Sequence, residues 1–256
     1  AHLANPQASP ERTRTRVVLP VPFVRQDHLT CSPATMASLL ATFGVHEDQR
    51  EIARQITVDG TASHDEMVWA EARGLVVRWF QFDTDIARQL LDRGLPFAIT
   101  TRFESSSHRQ ALVGYDRVLD TFILRDPTGN FRREVPTAWL ERVARRGGEC
   151  ALLLPAEVAA RHELPPLPLE HETLQWMRAK LEWRERRPQA AEARLVALGE
   201  LPPGPLRLDV ELRLARERGD RRRELELWRT KWEEEPEDSY WRYHHIAELI
   251  DQNRWQ

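Results

Sequence analysis

The sequence predicts an α+β domain followed by an all-α helical-repeat domain, and three observations carry that reading. Residues 16–154 alternate short apolar runs with helical patterns. Residues 155–171 are rich in proline and have no period, as a linker does. Residues 172–256 are dense in Arg, Glu, Leu and Trp at helical spacing throughout. In the first region helices come early and strands cluster later, an order that argues for α+β rather than an alternating fold. Residues 1–15 read as a polar N-terminal extension without the apolar core of a signal peptide.

Taken in order, "CSPATMASLLATFG" (31–44) predicts a helix that opens on Cys31, tolerates Pro33 in its first turn and stops at Gly44. "SHDEMVWAEARG" (63–74) follows the same grammar, with Ser63 as cap, Glu66 three residues on and Gly74 as stop; His64 belongs to the helix start. "LVVRWFQF" (75–82) reads as extended, "DIARQLLDRG" (85–94) as helical and "PFAITTRF" (96–103) as extended. "HRQALVGYD" and "TFILRDP" are two apolar runs joined by "RVLD", which predicts a hairpin with Asp116 at its turn. "PTAWLERVARRGG" gives a short helix and "ECALLLP" a buried final strand, with Cys150 in the core.

Composition narrows the function. The chain is 41% hydrophobic and 30% charged with a formal charge of -3, so nothing in its electrostatics calls for nucleic acid or an anionic membrane. No apolar run approaches a bilayer span. The two cysteines, Cys31 and Cys150, cannot build a disulfide framework or a cysteine-rich zinc site, and the nine histidines show no HExxH or paired spacing. No metal or cofactor is expected. The lack of paired cysteines and of a signal points to the cytoplasm.

One constellation carries chemistry. Cys31 sits at a helix N-terminus, where the macrodipole and free N–H groups favour a thiolate. A base is offered by His108, which opens a strand, and Asp126 ends the next strand of the hairpin, where a carboxylate can orient the ring. Gln26, five residues before the cysteine, can present an amide donor to a developing oxyanion beside the Cys31 N–H. Three of them have a plainer reading alone, Cys31 as a core thiol, His108 as a strand cap and Asp126 as a turn carboxylate, and Gln26 carries the least signal of the four. His28 is a rival base by proximity, but it lies on the loop entering the helix and is read as lining the cleft or facing water.

The stretches "VPFVRQ", "CSPATMASLLATFG", "HRQALVGYD" and "ILRDPTGN" resemble the bacteriocin-processing cysteine peptidases and their stand-alone relatives. These are papain-like proteases whose best-known members remove double-glycine leader peptides. The resemblance covers roughly residues 18–154. It implies a papain-like fold, a protein or peptide substrate, Cys31 as nucleophile, His108 as general base and acid, Asp126 as orienting residue and Gln26 as oxyanion-hole amide. Two features depart from the family pattern: Ser32 follows the cysteine where glycine is usual, and the Gln26–Cys31 interval is shorter than in many relatives. The latter keeps a non-catalytic peptide-binding adaptor in view, and the same triad would also serve acyl transfer to an amine.

The second region repeats. "RERRPQAAE" (184–192) and "RERGDRRRE" (216–224) align at an offset of 32, each between two helical stretches, and Gln252–Trp255 falls at a similar turn one repeat later. With Pro236 after "KWEEE", this resembles tetratricopeptide repeats, helix–turn–helix units of about 34 residues. The resemblance implies a stacked surface for a protein substrate or partner. Trp176, Trp183, Trp228, Trp232, Trp241 and Trp255 are expected to pack between helices, and the "RRRE" run at 221–224 to be a solvated face.

Overall fold

Residues 15–254 are described in the computed structural model of the chain, so the N-terminal extension and Trp255 lie outside the described residues, apart from Thr15. The elements run β1 (Arg16–Val18), α1 (Cys31–Thr42), α2 (Gln49–Ile56), α3 (Ser63–Glu71), β2 (Val76–Gln81), α4 (Thr84–Asp92), β3 (Phe97–Arg102), β4 (Ser107–Asp116), β5 (Thr121–Arg125), β6 (Arg132–Pro136), α5 (Thr137–Ala144) and β7 (Glu149–Leu154). One turn of helix, α6 (Ala156–Ala159), precedes α7 (Glu170–Arg184), α8 (Pro188–Val196), α9 (Pro205–Glu217), α10 (Arg221–Glu234) and α11 (Ser239–Arg254).

The strands form one antiparallel sheet in the order β2-β7-β3-β4-β5-β6, and β1 pairs with the end of β4 beyond β3. Alternation along the strands sorts residues to two faces. Phe97, Ile99, Leu112, Leu124, Cys150 and Leu152 face α4 and α5, where Leu90, Leu91, Leu140 and Val143 close one core. Ala98, Ala111, Val113, Ile123 and Ala151 face the other way, against Leu39 of α1 and Met67 of α3. Helix α1 is buried from Ser32 to Leu40, because small and apolar residues surround its whole circumference. It ends as expected: Gly44 takes φ +81°, and Val45 N–H reaches back to the Leu40 carbonyl.

The hairpin, the final strand and most helices fall where the sequence places them. Four elements went unread, each for a physical reason; α6 is a single turn of four residues with none buried. β6 buries only Val135, so it shows no alternation. β1 has three residues, and α2 has eight with only Gln49 and Ile52 buried. The helix at 63 is capped differently from the capping-box reading: its N-cap is Ala62, Ser63 bonds Glu149, and the Glu66 carboxylate turns inward to a buried arginine. Asp116 does hold the hairpin turn, accepting from Val118 and Leu119 N–H at 2.8 and 3.0 Å.

The proline-rich stretch lies against the sheet. Leu164 and Leu167 join the core, and Gln81 N–H donates to the Pro168 carbonyl at 2.9 Å. Helix α7 then packs on β2 and α3, adding Trp176, Met177 and Trp183 to the core that holds Trp79 and Met67. Three forked ion pairs join the regions among the described residues, and one of them sets Arg78 of β2 against Glu170 of α7. Arg102 of β3 meets Asp209 of α9 through two bonds of 2.8 Å, and Arg146 meets Asp238 at 3.0 and 2.5 Å.

The two aligned arginine-rich stretches sit at equivalent turns of the α7–α8 and α9–α10 hairpins, and Pro236 lies between α10 and α11. The expected turn at Gln252–Arg254 is instead helix, since α11 meets no glycine or proline before Arg254. Trp228 and Trp241 are buried between helices with Trp232 packed against them, and Trp176 and Trp183 are buried where α7 meets the sheet and its neighbouring helices. Glu224 departs from the solvated-face reading: it is buried and paired with Arg216.

Candidate active site

Cys31 is the first residue of α1, and the loop before it is shaped to leave that helix end open. The Thr30 hydroxyl does not cap the helix, because Asp27 engages it on both sides, donating its N–H at 2.8 Å and accepting at its carbonyl at 3.2 Å. The first turn holds no acidic side chain. Its N–H groups therefore remain available at the thiol, the arrangement that stabilises negative charge. Leu29 enters the turn at φ +58°, a left-handed conformation that costs a non-glycine residue about 1–2 kcal/mol. Asp27 in turn is anchored to α2 by Gln49 at 3.0 Å and Arg50 at 2.8 Å.

His108 is the second residue of β4, and Asp126 follows β5, the neighbouring strand. Strand pairing thus brings together two residues eighteen positions apart. His108 Nε2 lies 2.9 Å from Asp126 Oδ1, which leaves Nδ1 for the thiol. The same Oδ1 accepts from the Thr128 N–H at 2.9 Å and the Thr128 hydroxyl at 2.7 Å. Burial opposes ionisation of Asp126, but His108 and Thr128 outweigh it and hold the carboxyl at about 2. Burial likewise disfavours the imidazolium, yet hydrogen bonds to Asp126 and Cys31 carry His108 up to about 9. At Cys31 burial resists the thiolate. The His108 hydrogen bond and the Arg109 backbone N–H prevail, and the thiol titrates below its ordinary range.

Gln26 is brought to the same corner by a different route. Its backbone N–H donates to the Pro127 carbonyl at 3.0 Å, directly after Asp126. Its side-chain amide makes no hydrogen bond to Cys31, and the buried Oε1 has no partner among the described residues. His28 is exposed and faces water. Cys150 is fully buried, and burial pushes its thiol up, away from reactivity.

A cleft of about 300 Å³ opens beside Cys31, lined by Leu29, Ser63, His64, Arg102, Glu149 and Lys180 among others. His64, read from sequence only as a helix start, presents an imidazole whose two nitrogens have no hydrogen-bond partner among the described residues. Burial and the nearby Lys180 keep that ring neutral, down to about 4. Lys180 comes from α7, so the helical region supplies part of the cleft wall. Glu149 is buried, a cost that the Lys180, Arg102 and Arg109 charges more than offset, leaving its carboxyl at about 2.

Behind the cysteine lies a network that the sequence reading passed over. Ser32 Oγ donates to Glu66 Oε1 at 2.6 Å, and Arg109 Nη2 donates to Glu66 Oε2 at 2.8 Å. Arg109 also donates to the Thr100 hydroxyl at 2.7 Å and the Glu149 carbonyl at 3.0 Å. Burial pushes the Glu66 carboxyl up, against the pull of Arg109 and Ser32. The available signal was a charge, Arg109, inside the otherwise apolar strand "HRQALVGYD". Among the described residues no group of three or more His, Cys, Asp or Glu is placed to hold a metal ion. No described helix is long and apolar enough to cross a membrane.

A family model described as "Peptidase_C39 like family" matches residues 18–145, half of the chain. Among solved structures, the peptidase domain of Streptococcus ComA, a bi-functional ABC transporter involved in a quorum-sensing pathway, aligns at 20% identity. The alignment covers 53% of this chain and 98% of that one, with a TM-score of 0.45. A double-glycine-motif protease from an AMS/PCAT transporter, solved in complex with the leader peptide, aligns at 20% identity and TM-score 0.43. That match covers 56% of this chain and 96% of the other. No curated protein matches the chain.

Proposed function

Because the chain belongs to the peptidase C39-like family, a family of cysteine peptidases, we propose that it cleaves peptide bonds with Cys31, His108 and Asp126 as its catalytic triad. The observation that supports this most is the line of three ionisable groups. It runs from a carboxylate at 2.9 Å, through an imidazole that holds its proton to about 9, to a thiol below its ordinary range at an uncapped helix end.

In that array the Cys31 thiolate attacks the substrate carbonyl carbon. The resulting oxyanion takes hydrogen bonds from the Cys31 N–H and from the Gln26 side-chain amide N–H. Protonated His108 gives its Nδ1 proton to the leaving amine as the C–N bond breaks, leaving a thioester. Water then attacks the thioester with its proton passing to His108, the C–S bond breaks, and thiolate and imidazolium are restored. Asp126 holds the ring in the tautomer that points Nδ1 at sulfur and favours its charged form.

The substrate is a protein or peptide lying in the cleft beside Cys31. With Lys180 in the cleft wall, the helical region shapes what enters as well as recruiting substrate or a protein partner. The hydrogen bond between His108 and Cys31 weighs against a non-catalytic adaptor, which has no use for an activated thiol. The test is proteomic mapping of new termini produced by the wild type and by Cys31→Ala. Termini specific to the wild type are expected, and identical sets from both proteins overturn the proposal. Adding an amine acceptor during the same reaction separates hydrolysis from transfer.

A further inference from the structure

The active thiol and its base are carried by different elements, α1 and β4, and no short stretch of chain fixes one against the other. The residues that flank them do meet. Ser32 follows Cys31 and Arg109 follows His108, and both donate to opposite oxygens of one carboxylate, at 2.6 and 2.8 Å. Thr35 of α1 adds a direct tie along the same seam, donating its hydroxyl to the Arg109 carbonyl at 3.0 Å. We propose that Glu66 is a positioning residue that sets the distance between Cys31 and His108 by clamping Ser32 and Arg109 together. The proposal rests on the triad reading above.

Three features argue for a geometric role. Ser32, Glu66 and Arg109 are 2, 5 and 4% exposed, so solvent does not loosen the clamp. A buried ion pair is commonly no more stabilising than apolar side chains of equal volume, so bulk stability is a weak reason for one here. The carboxylate is also two-sided and planar, and each oxygen serves one of the two elements that must be held. The charged and titratable groups around it are Arg109 on β4, Glu149 on β7, Cys31 itself on α1, whose thiolate the Glu66 charge opposes, and Lys180 on α7.

Ser32→Ala and Glu66→Gln are the test, made singly and together. The readouts are kcat and KM on a peptide from the mapped substrate, the pH midpoint of Cys31 alkylation by iodoacetamide assigned by mass spectrometry, and Tm. Shifting reacting groups by a few tenths of an ångström is expected to lower kcat about tenfold with KM little changed, since 1 Å costs about a hundredfold. Ser32→Ala removes no charge, yet its alkylation midpoint is expected to rise as the thiol–imidazole contact slackens. The double variant is expected to lose little more than either single one, because both break the same clamp. A purely structural role would lower Tm while leaving kcat per folded molecule and the midpoint unchanged, which overturns the proposal. A purely electrostatic role would move the midpoint in Glu66→Gln alone, downward, and also overturns it. His108→Ala keeps the two readings apart: an unaltered alkylation profile there defeats the triad itself, whereas a shifted one alongside unaffected Ser32 and Glu66 variants defeats only the clamp.

Discussion

Removing Asp126 tests how the triad holds its proton. In the folded protein His108 is carried from 6.5 to about 9, a difference of about 3 kcal/mol in favour of the imidazolium. The ring is 19% exposed and Asp126 8%, so solvent screens the interaction only in part. In Asp126→Ala the larger of the two supporting hydrogen bonds is gone, and burial pulls against the Cys31 contact that remains. If those two cancel, the ring returns to about 6.5. At pH 8 the protonated fraction then falls from about nine-tenths to about 3%, and leaving-group protonation slows roughly thirtyfold. The assay is an NMR titration of the His108 ring beside the pH profile of kcat/KM. Because the folded value is raised, activity is lost as pH climbs through about 9 in the wild type, and the variant should lose it about two and a half units lower, near 6.5. Asp126→Asn, which keeps an acceptor but not the charge, should fall between them. A His108 midpoint still near 9 in Asp126→Ala would refute the argument.

Glu149 supplies an acid-side counterpart. Its carboxyl is lowered from 4.5 to about 2, so its contribution of about 3 kcal/mol is complete above pH 4.5 and lost as pH falls through 2; Glu149→Gln should flatten that part of an acid-unfolding curve. Asp238→Ala leaves the Arg146 guanidinium buried without its forked partner, and denaturant unfolding should register a loss of about 3–5 kcal/mol. Gly114→Ala would place a Cβ 2.3 Å from the Val17 carbonyl oxygen, so β1 must lift from β4, and hydrogen exchange should show Leu19 N–H losing protection. A chain cut after Pro155 strips Trp176, Met177 and Trp183 from the core they share with Trp79 and Met67. Such a fragment is expected to bind a hydrophobic dye and precipitate, and a well-behaved monomer would contradict that.

Sequence reading reaches furthest where local chemistry and long-range placement agree. Cys31, His108 and Asp126 were legible because a helix start and two hairpin strands have strong local signatures, and pairing those strands leaves little freedom at their ends. Glu66 was misread because a carboxylate three residues after a serine at a helix start fits a capping box equally well. Only the tertiary position of Arg109 decides between the two roles. Leu164 and Leu167 sit in a proline-rich run whose lack of period hides their burial. The forked Arg–Asp pairs between the two regions were invisible for a related reason: on paper, a charge on a helix looks like a charge in water.

The forks at Asp209 and Asp238 also bear on the cleft. They fix α9 and the start of α11 to the sheet that carries His108, and α7 is fixed by its own packing. The same helices carry Lys180 into the wall of the cleft beside Cys31, so whatever strains the seam between helices and sheet also bears on the mouth of that cleft.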